Sequence, residues 1–158
     1  MEPIFRVDGD RVVTSPDAAG PWDPRMQHGS APAALVVWAA EAIPTPVPMR
    51  IARVTIDLMR PVPVAPLTVS SEILRDGRKI QLCGVRLLAD GVLVVSATVL
   101  KIKRQAAELP SDIAAVQVEL PGPDESMVEP GNLANSPFVK CISMRAARGR
   151  LDRKSTRL

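Results

Sequence analysis

A short, strongly apolar helix is the feature that most restricts how this chain can fold. Between Ala31 and Ile43 the only charged side chain is Glu41, and the prolines that follow Ile43 prevent the helix from continuing. A helix that is apolar on nearly all sides has to be buried. Ser30 is a plausible N-cap, so the polar turn from Gln27 to Ser30 places unpaired backbone amides at the start of a buried helix.

Segments with strand character surround this helix. Arg50 to Arg60 places apolar side chains on one face and polar ones on the other, the two-residue period of a half-buried strand. Three more strand-like segments cover residues 67–75, 78–89 and 92–103. Their connections, Asp76-Gly77 and Asp90-Gly91, are typical of two-residue type I′ turns, which predicts sequential antiparallel neighbours. An earlier segment, from Ile4 to Thr14, alternates around a turn signal and predicts an opening hairpin.

The order of hairpin, buried helix and meander predicts the fold. We expect an α+β hotdog fold over residues 1–104, with an antiparallel sheet wrapped around one central apolar helix. Residues 105–136 lose all periodicity and are broken by proline and glycine, which predicts a linker. A pattern returns from Phe138 to Arg145, where we expect a strand. Residues 137–151 would then be the start of a truncated second hotdog repeat.

The last seven residues, 152–158, stand apart from the rest. They read DRKSTRL, continue no pattern upstream, and are similar to the translation of a common sequencing-library adapter. We expect this tail to be artefactual and the natural protein to continue beyond Leu151. With three basic residues against one acid, the tail carries most of the formal net charge of +3. The charge therefore does not by itself indicate an acidic partner.

Composition excludes several classes of function. Aromatic residues make up 3% of the chain and tyrosine is absent, so few side chains can stack on bases and we expect no nucleic-acid partner. Cys83 and Cys141 form no Cys/His cluster, which predicts reduced thiols in a cytoplasmic protein, with no metal and no cofactor. We expect no membrane partner, because no apolar stretch is long enough to span a bilayer.

Two further motifs carry a resemblance to a known family. Leu58-Met59-Arg60-Pro61 and the later LRDGRKI, residues 74–80, follow the His28-Gly29 helix start in order and spacing. Together they resemble the N-terminal half of the type II acyl-CoA thioesterases, the double-hotdog enzymes of the thioesterase-like superfamily, over about Phe5 to Arg104. The resemblance implies hydrolysis of acyl-CoA to free acid and CoA, in fatty acid metabolism, by two hotdog repeats joined edge to edge as a pseudo-dimer.

The same resemblance divides the site between the two repeats. The catalytic Asp, Thr or Ser, and Gln of that family belong to the second repeat, so the catalytic residues of this protein are unknown and the fragment is expected to be inactive alone. We expect a pseudo-dimer with the missing repeat, or a homo-oligomer. Thioester hydrolysis also needs hydrogen-bond donors for the developing oxyanion and a water activated by a base.

Substrate-binding residues are predicted at two places. Gly29 and Ser30 are candidate oxyanion donors, and His28 either borders this site or is a turn residue whose imidazole caps or braces the loop. Arg75 and Arg78 are either contacts for CoA phosphates or solvated residues beside a turn.

Acidic residues of this region offer no good base. Glu41 lies near the end of the helix and is expected to face solvent, and Asp23, before Pro24, is more typical of a turn than of a catalytic acid. Two alternatives stay open. One is a non-catalytic hotdog module that binds acyl-CoA or serves as an assembly partner. The other is a hydratase or dehydratase, which would require a His/Asp pair, and His28 is the only histidine.

Overall fold

The computed structural model describes residues 2–106, 120–122, 124–125, 127–128, 136–143 and 145–146. Its main body is a six-stranded sheet with one helix packed on it. The strands are β1 (Phe5–Asp8), β2 (Arg11–Thr14), β3 (Met49–Leu58), β4 (Leu67–Asp76), β5 (Ile80–Ala89) and β6 (Val92–Lys103). Their order in the sheet is β1-β2-β4-β5-β6-β3, and every neighbouring pair is antiparallel.

The apolar helix α1 spans Ser30–Ala42, close to its predicted bounds. Leu35, Val36 and Ala40 are buried in the core against the sheet. On the opposite face, Ala34 is exposed and Trp38 is 49% exposed. The sheet therefore does not enclose the helix as expected, because one layer of strands covers one side of it and the described part of the chain supplies no second layer.

The central strands β5 and β6 form the floor on which the helix rests. Cys83, Val85 and Leu87 of β5 stand opposite Val99, Ala97 and Val95 of β6, and all six side chains are buried. The predicted sequence of antiparallel neighbours is confirmed for β4, β5 and β6. In the described part of the sheet, β1 and β3 are its two edges.

The two Asp-Gly connections differ from each other. Asp90 and Gly91 have φ angles of 48° and 74°, as a type I′ turn requires, and this prediction is confirmed. Gly77 has no positive φ, and residues 77–79 separate β4 from β5, so the type I′ prediction is wrong there. The longer loop begins beyond a register shift between Ile73 and Arg75, which a period-two pattern does not reveal.

A buried polar cluster ties the end of α1 to the sheet. Lys101, on β6, is 3% exposed, and its Nζ donates to the Ile43 carbonyl at 2.8 Å. Gln81 is fully buried, and its Nε2 donates to the Pro44 carbonyl at 3.0 Å and to Asp76 Oδ1 at 3.3 Å. A cation at this end also interacts favourably with the helix dipole. The cluster therefore fixes where the helix ends on the sheet.

Downstream of the sheet the chain differs from the sequence expectation. Phe138 was expected in a strand, but Pro137–Lys140 forms a single helical turn, α2. The reason is local: Ser136 Oγ accepts from the Val139 amide at 3.4 Å, and Pro137 suits the first turn of a helix. Two short strands, β7 (Met127–Val128) and β8 (Arg145–Ala146), pair antiparallel. The division at residues 104, 136 and 151 stays a prediction, and residues 152–158 lie outside the described residues.

Replacing the buried ammonium tests the role of the polar cluster. We expect Lys101→Met to lower the free energy of unfolding by about 1–3 kcal/mol, because the Ile43 carbonyl loses its charged donor. Lys103→Met, on the same strand but exposed, should change it by no more than about 0.5 kcal/mol. Denaturant titrations followed by circular dichroism measure both values. Equal losses in the two variants would contradict a role for the ammonium in holding the helix.

Candidate functional site

A concave surface lies at the N-terminal end of α1, where the loop before the helix meets the end of β3. Its volume is about 650 Å³. Residues 27–30 line it from the helix side and residues 58–62 line it from the strand side, together with Trp22. Trp22, Leu58 and Met59 are 86%, 54% and 57% exposed. This cavity, named here the helix-start cavity, therefore has an apolar wall open to a ligand.

The proline-rich corner after β3 holds the loop before the helix in place. The Gln27 amide donates to the Val62 carbonyl at 2.8 Å, and the Val64 amide donates to the Arg25 carbonyl at 2.7 Å. The side chain of Gln27 adds a third contact, from Nε2 to the Pro63 carbonyl at 2.8 Å. The corner that carries Arg60 and Pro61 is thus fixed against the turn that starts α1.

His28 acts on the helix start through its ring. Its Nδ1 accepts from the Ser30 amide at 3.2 Å, and its ring stacks on Phe138 with centroids 4.8 Å apart and planes within 8°. The Ser30 amide is therefore already paired and is not the free oxyanion donor that we expected. Ser30 is also not the N-cap: Gly29 holds that position without a side-chain cap, and the imidazole takes over the role of the serine hydroxyl.

Gly29 retains the features of a candidate donor. Its amide has no hydrogen-bond partner among the described residues, and it lines the helix-start cavity. A Cβ built on Gly29 would lie 3.6 Å from Leu58 Cδ1, so any larger side chain would extend toward the apolar wall. An unpaired amide at the positive end of a helix attracts a carbonyl oxygen or an anion.

The predicted binding residues fall into two separate groups. His28, Gly29 and Ser30 come together at the helix-start cavity. Arg75, near the end of β4, and Arg78, in the β4–β5 connection, are both exposed. They lie beside the other end of the helix, where the Gln81 side-chain amide donates to both the Pro44 carbonyl and Asp76 Oδ1. The structure thus does not bring the two groups into one site.

Sequence reasoning did not select two polar residues that line the helix-start cavity. Arg60 was noted only as part of a family motif, and it supplies the cavity's positive charge. Gln27 is 8% exposed, and its Oε1 is buried with no partner among the described residues. Nothing in the local pattern indicates these positions, because both depend on how the corner after β3 folds back on the loop.

The carboxylates behave as the sequence predicted. Glu41 is exposed near the C-terminal end of α1. Asp23 is held in a turn, with its Oδ1 accepting from the Arg25 amide at 2.9 Å and an ion pair to the Arg25 guanidinium at 2.8 Å. The hydrogen bond from the Arg25 side chain is the main reason that the pKa of Asp23 falls to about 2. So acidic a group is a poor general base, and no carboxylate is among the described residues lining the helix-start cavity.

Within the ranges that the structure describes, the chain forms neither a metal-binding cluster nor a membrane-spanning helix. No three His, Cys, Asp or Glu side chains converge in a way that could hold a metal ion. None of the helices there combines the length and the apolar character needed to cross a membrane.

Comparison with known proteins places the chain in a family. Residues 18–102 match the model of the acyl-CoA thioesterase N-terminal domain. The chain belongs to that family. This confirms the resemblance of the helix start and the two motifs to acyl-CoA thioesterases. No curated protein matches the sequence.

Solved structures confirm the hotdog fold of this acyl-CoA thioesterase domain. A conserved protein of unknown function with a hotdog fold, from Alicyclobacillus acidocaldarius, is 23% identical with a TM-score of 0.66, over 92% of this chain and 53% of that one. A thioesterase II candidate from Thermobifida fusca is 15% identical with a TM-score of 0.60, over 90% and 51%. BH2602 from Bacillus halodurans, solved with CoA, is 16% identical with a TM-score of 0.52, over 65% and 74%. The chain thus spans about half the length of the first of these proteins.

The two cysteines of the chain, Cys83 in β5 and Cys141 at the end of α2, give a test of burial. Desolvation raises the pKa of the fully buried Cys83 thiol, although Lys101 opposes this. Cys141 is only partly buried. In the native protein at mildly alkaline pH, we expect iodoacetamide to modify Cys141 much faster than Cys83, because alkylation requires an accessible thiolate. Mass spectrometry of timed samples measures both rates, and full denaturation should equalise them. Equal rates in the native protein would contradict the packing of β5 against α1.

Proposed function

We propose that this chain is the N-terminal hotdog of a type II acyl-CoA thioesterase, which hydrolyses acyl-CoA to free acid and CoA in the cytoplasm. The observation that carries the proposal is the Gly29 amide at the start of α1, which has no hydrogen-bond partner among the described residues and lies beside the exposed side chains of Leu58 and Met59. Membership of the acyl-CoA thioesterase N-terminal domain family supports it. The free thiols of Cys83 and Cys141 are consistent with a reducing compartment.

The chemistry follows from what the cavity offers. When a water attacks the thioester carbonyl, negative charge develops on the carbonyl oxygen, and the Gly29 amide together with the helix dipole stabilises that charge. The apolar wall formed by Trp22, Leu58 and Met59 packs against the acyl chain or the pantetheine arm. Arg60 adds positive charge near the entrance, which attracts the anionic CoA.

The first repeat alone lacks two parts of such a site. An oxyanion is usually held by a pair of donors, and here the Ser30 amide is engaged by His28. The described residues lining the cavity also include no carboxylate to activate the water. In our proposal the second repeat supplies both parts by pairing with the open edge β3, whose last residue, Leu58, lies at the cavity. A homo-oligomer that pairs β3 with a second copy is the other arrangement with this geometry.

Filling the space at Gly29 tests the proposal in the protein completed by its second repeat. We expect Gly29→Val to lower kcat on acyl-CoA by about 100-fold, because the side chain extends toward Leu58 and blocks the amide. The melting temperature should fall by only a few degrees, since Gly29 has ordinary helical torsions. Thiol release measures turnover, and Ala34→Val, on the exposed face of α1, is the matched control. Equal activity in the two variants would remove Gly29 from the mechanism.

Charge removal distinguishes two candidate places for the CoA phosphates, Arg60 at the cavity and the predicted contacts Arg75 and Arg78. We expect Arg60→Ala to weaken CoA binding severalfold, and more strongly at low salt, because Arg60 lines the cavity. The double variant Arg75→Ala, Arg78→Ala should bind CoA like the wild type, since both arginines lie beside the other end of α1. Titration calorimetry measures the affinities. A larger loss in the double variant would place the phosphates at the β4–β5 connection instead.

The absence of a carboxylate among the described residues lining the cavity also favours a second candidate function. A non-catalytic hotdog module would bind acyl-CoA, or support an assembly partner, without hydrolysing the thioester. Incubation of the completed protein with acyl-CoA separates the two functions. Binding with no release of free CoA over the uncatalysed rate would establish the module and exclude the enzyme.

A further inference from the structure

The segment that follows the sheet returns to the start of α1. Phe138, in α2, is 5% exposed and packs with Ala18 and Ala31 in a small core of its own. Its amide donates to the Ala19 carbonyl at 3.3 Å, and its ring stacks on His28. A residue far along the chain from the helix-start cavity is therefore in direct contact with the turn that forms it.

This stack restricts the orientation of the His28 ring. The His28 amide donates to the Ala18 carbonyl at 2.8 Å, which fixes the backbone, and the stacked Phe138 fixes the plane of the imidazole. In that plane Nδ1 accepts from the Ser30 amide at 3.2 Å. A neutral imidazole can accept at Nδ1 only when its proton is on Nε2. The arrangement thus selects one ring orientation and one tautomer.

We propose that Phe138 is a positioning residue for the thioester site. By stacking on His28, it keeps the Ser30 amide paired and fixes the turn that leaves the Gly29 amide as the donor at the helix-start cavity. The catalytic part of this inference rests on the proposed function. The effect of Phe138 on the tautomer of His28 does not depend on the proposed function, and it is measured separately.

A purely structural role of Phe138 and a positioning role predict different results for Phe138→Leu. A leucine at residue 138 would still fill most of the space between Ala18 and Ala31 and would keep the backbone bond to Ala19. It has no flat face to fix the imidazole plane. If Phe138 only packs, Phe138→Leu therefore leaves the state of the imidazole unchanged, whereas positioning predicts that it changes.

His28 is the only histidine of the chain, so the two ring nitrogens of its imidazole are assigned in NMR spectra without overlap and report the tautomer. We expect the wild type, at a pH where imidazole is neutral, to show one dominant tautomer with the proton on Nε2. Phe138→Leu should give a mixture of tautomers and about fivefold faster exchange of the Ser30 amide, the effect of weakening one hydrogen bond. Phe138→Tyr, which retains the ring, should resemble the wild type, as should the control Ile142→Ala, an exposed position in the same segment.

The affinity for a substrate analogue shows whether the change in the His28 tautomer affects the helix-start cavity. A ketone analogue of acyl-CoA, with a methylene in place of the sulfur, keeps the carbonyl oxygen and is not hydrolysed. We expect Phe138→Leu to bind it severalfold more weakly than the wild type, Phe138→Tyr and Ile142→Ala. Faster exchange at Ser30, mixed tautomers and weaker binding in the leucine variant together support the proposal.

Three results would overturn it. One is an unchanged tautomer and unchanged Ser30 exchange in Phe138→Leu, and another is a changed tautomer with unchanged affinity for the analogue. The third is a mixture of tautomers in the wild type. This last result can be measured even if the leucine variant does not fold. A wild type that binds no analogue would overturn the proposed function, and the tautomer would still support or overturn the hold on His28.

Discussion

The packing of α1 against the central strands β5 and β6 is the interaction on which the rest of the structure depends. Leu35 and Val36 lie in the same core as Val85 and Val95, and each buried aliphatic side chain of this kind contributes about 1.5–3 kcal/mol. Once the helix is fixed there, its two ends have defined neighbours. The C-terminal end meets the buried Lys101, and the N-terminal end meets the corner after β3. The position of the candidate site therefore follows from where the apolar helix begins on the sheet.

Much of this architecture is readable from local pattern. Alternation predicts the long strands, and Asp90-Gly91 predicts its turn because only a few residues adopt the required positive φ. Predictions fail where the structure departs from the regular alternation of a strand, because the two-residue period does not show such irregularities. A register shift between Ile51 and Arg53 breaks the alternation of β3, so that Ala52 is exposed where the pattern places it in the core. Trp38 is a second case, because it was expected to be buried and is half exposed. How much of a helix is buried depends on how far the sheet curves around it, and amino-acid composition does not specify that curvature.

The candidate site shows the same division between local and distant causes. The helix start and its glycine are visible in the sequence, because a polar turn before an apolar helix leaves amides unpaired. A capping imidazole at His28 was one of the two open predictions, and the bond from the Ser30 amide to its Nδ1 bears it out. The contact with Phe138, which holds the ring from a distant segment, could not be predicted from local pattern. Arg75 and Arg78 belong to one of the motifs that carry the family resemblance, but they lie beside the other end of the helix. A family motif therefore shows which family the chain belongs to without showing that its residues lie in the same site as those of the other motif.

The central claim is that the Gly29 amide receives the carbonyl oxygen of an acyl thioester. Backbone amide NMR spectra of the chain, recorded during titration with the ketone analogue of acyl-CoA, test this claim most directly. We expect a downfield proton shift at Gly29 that saturates with the analogue, while the amide of Ser30, already bonded to His28, shifts much less. A saturable shift at Ser30 or at the β4–β5 connection, with Gly29 unchanged, would contradict it.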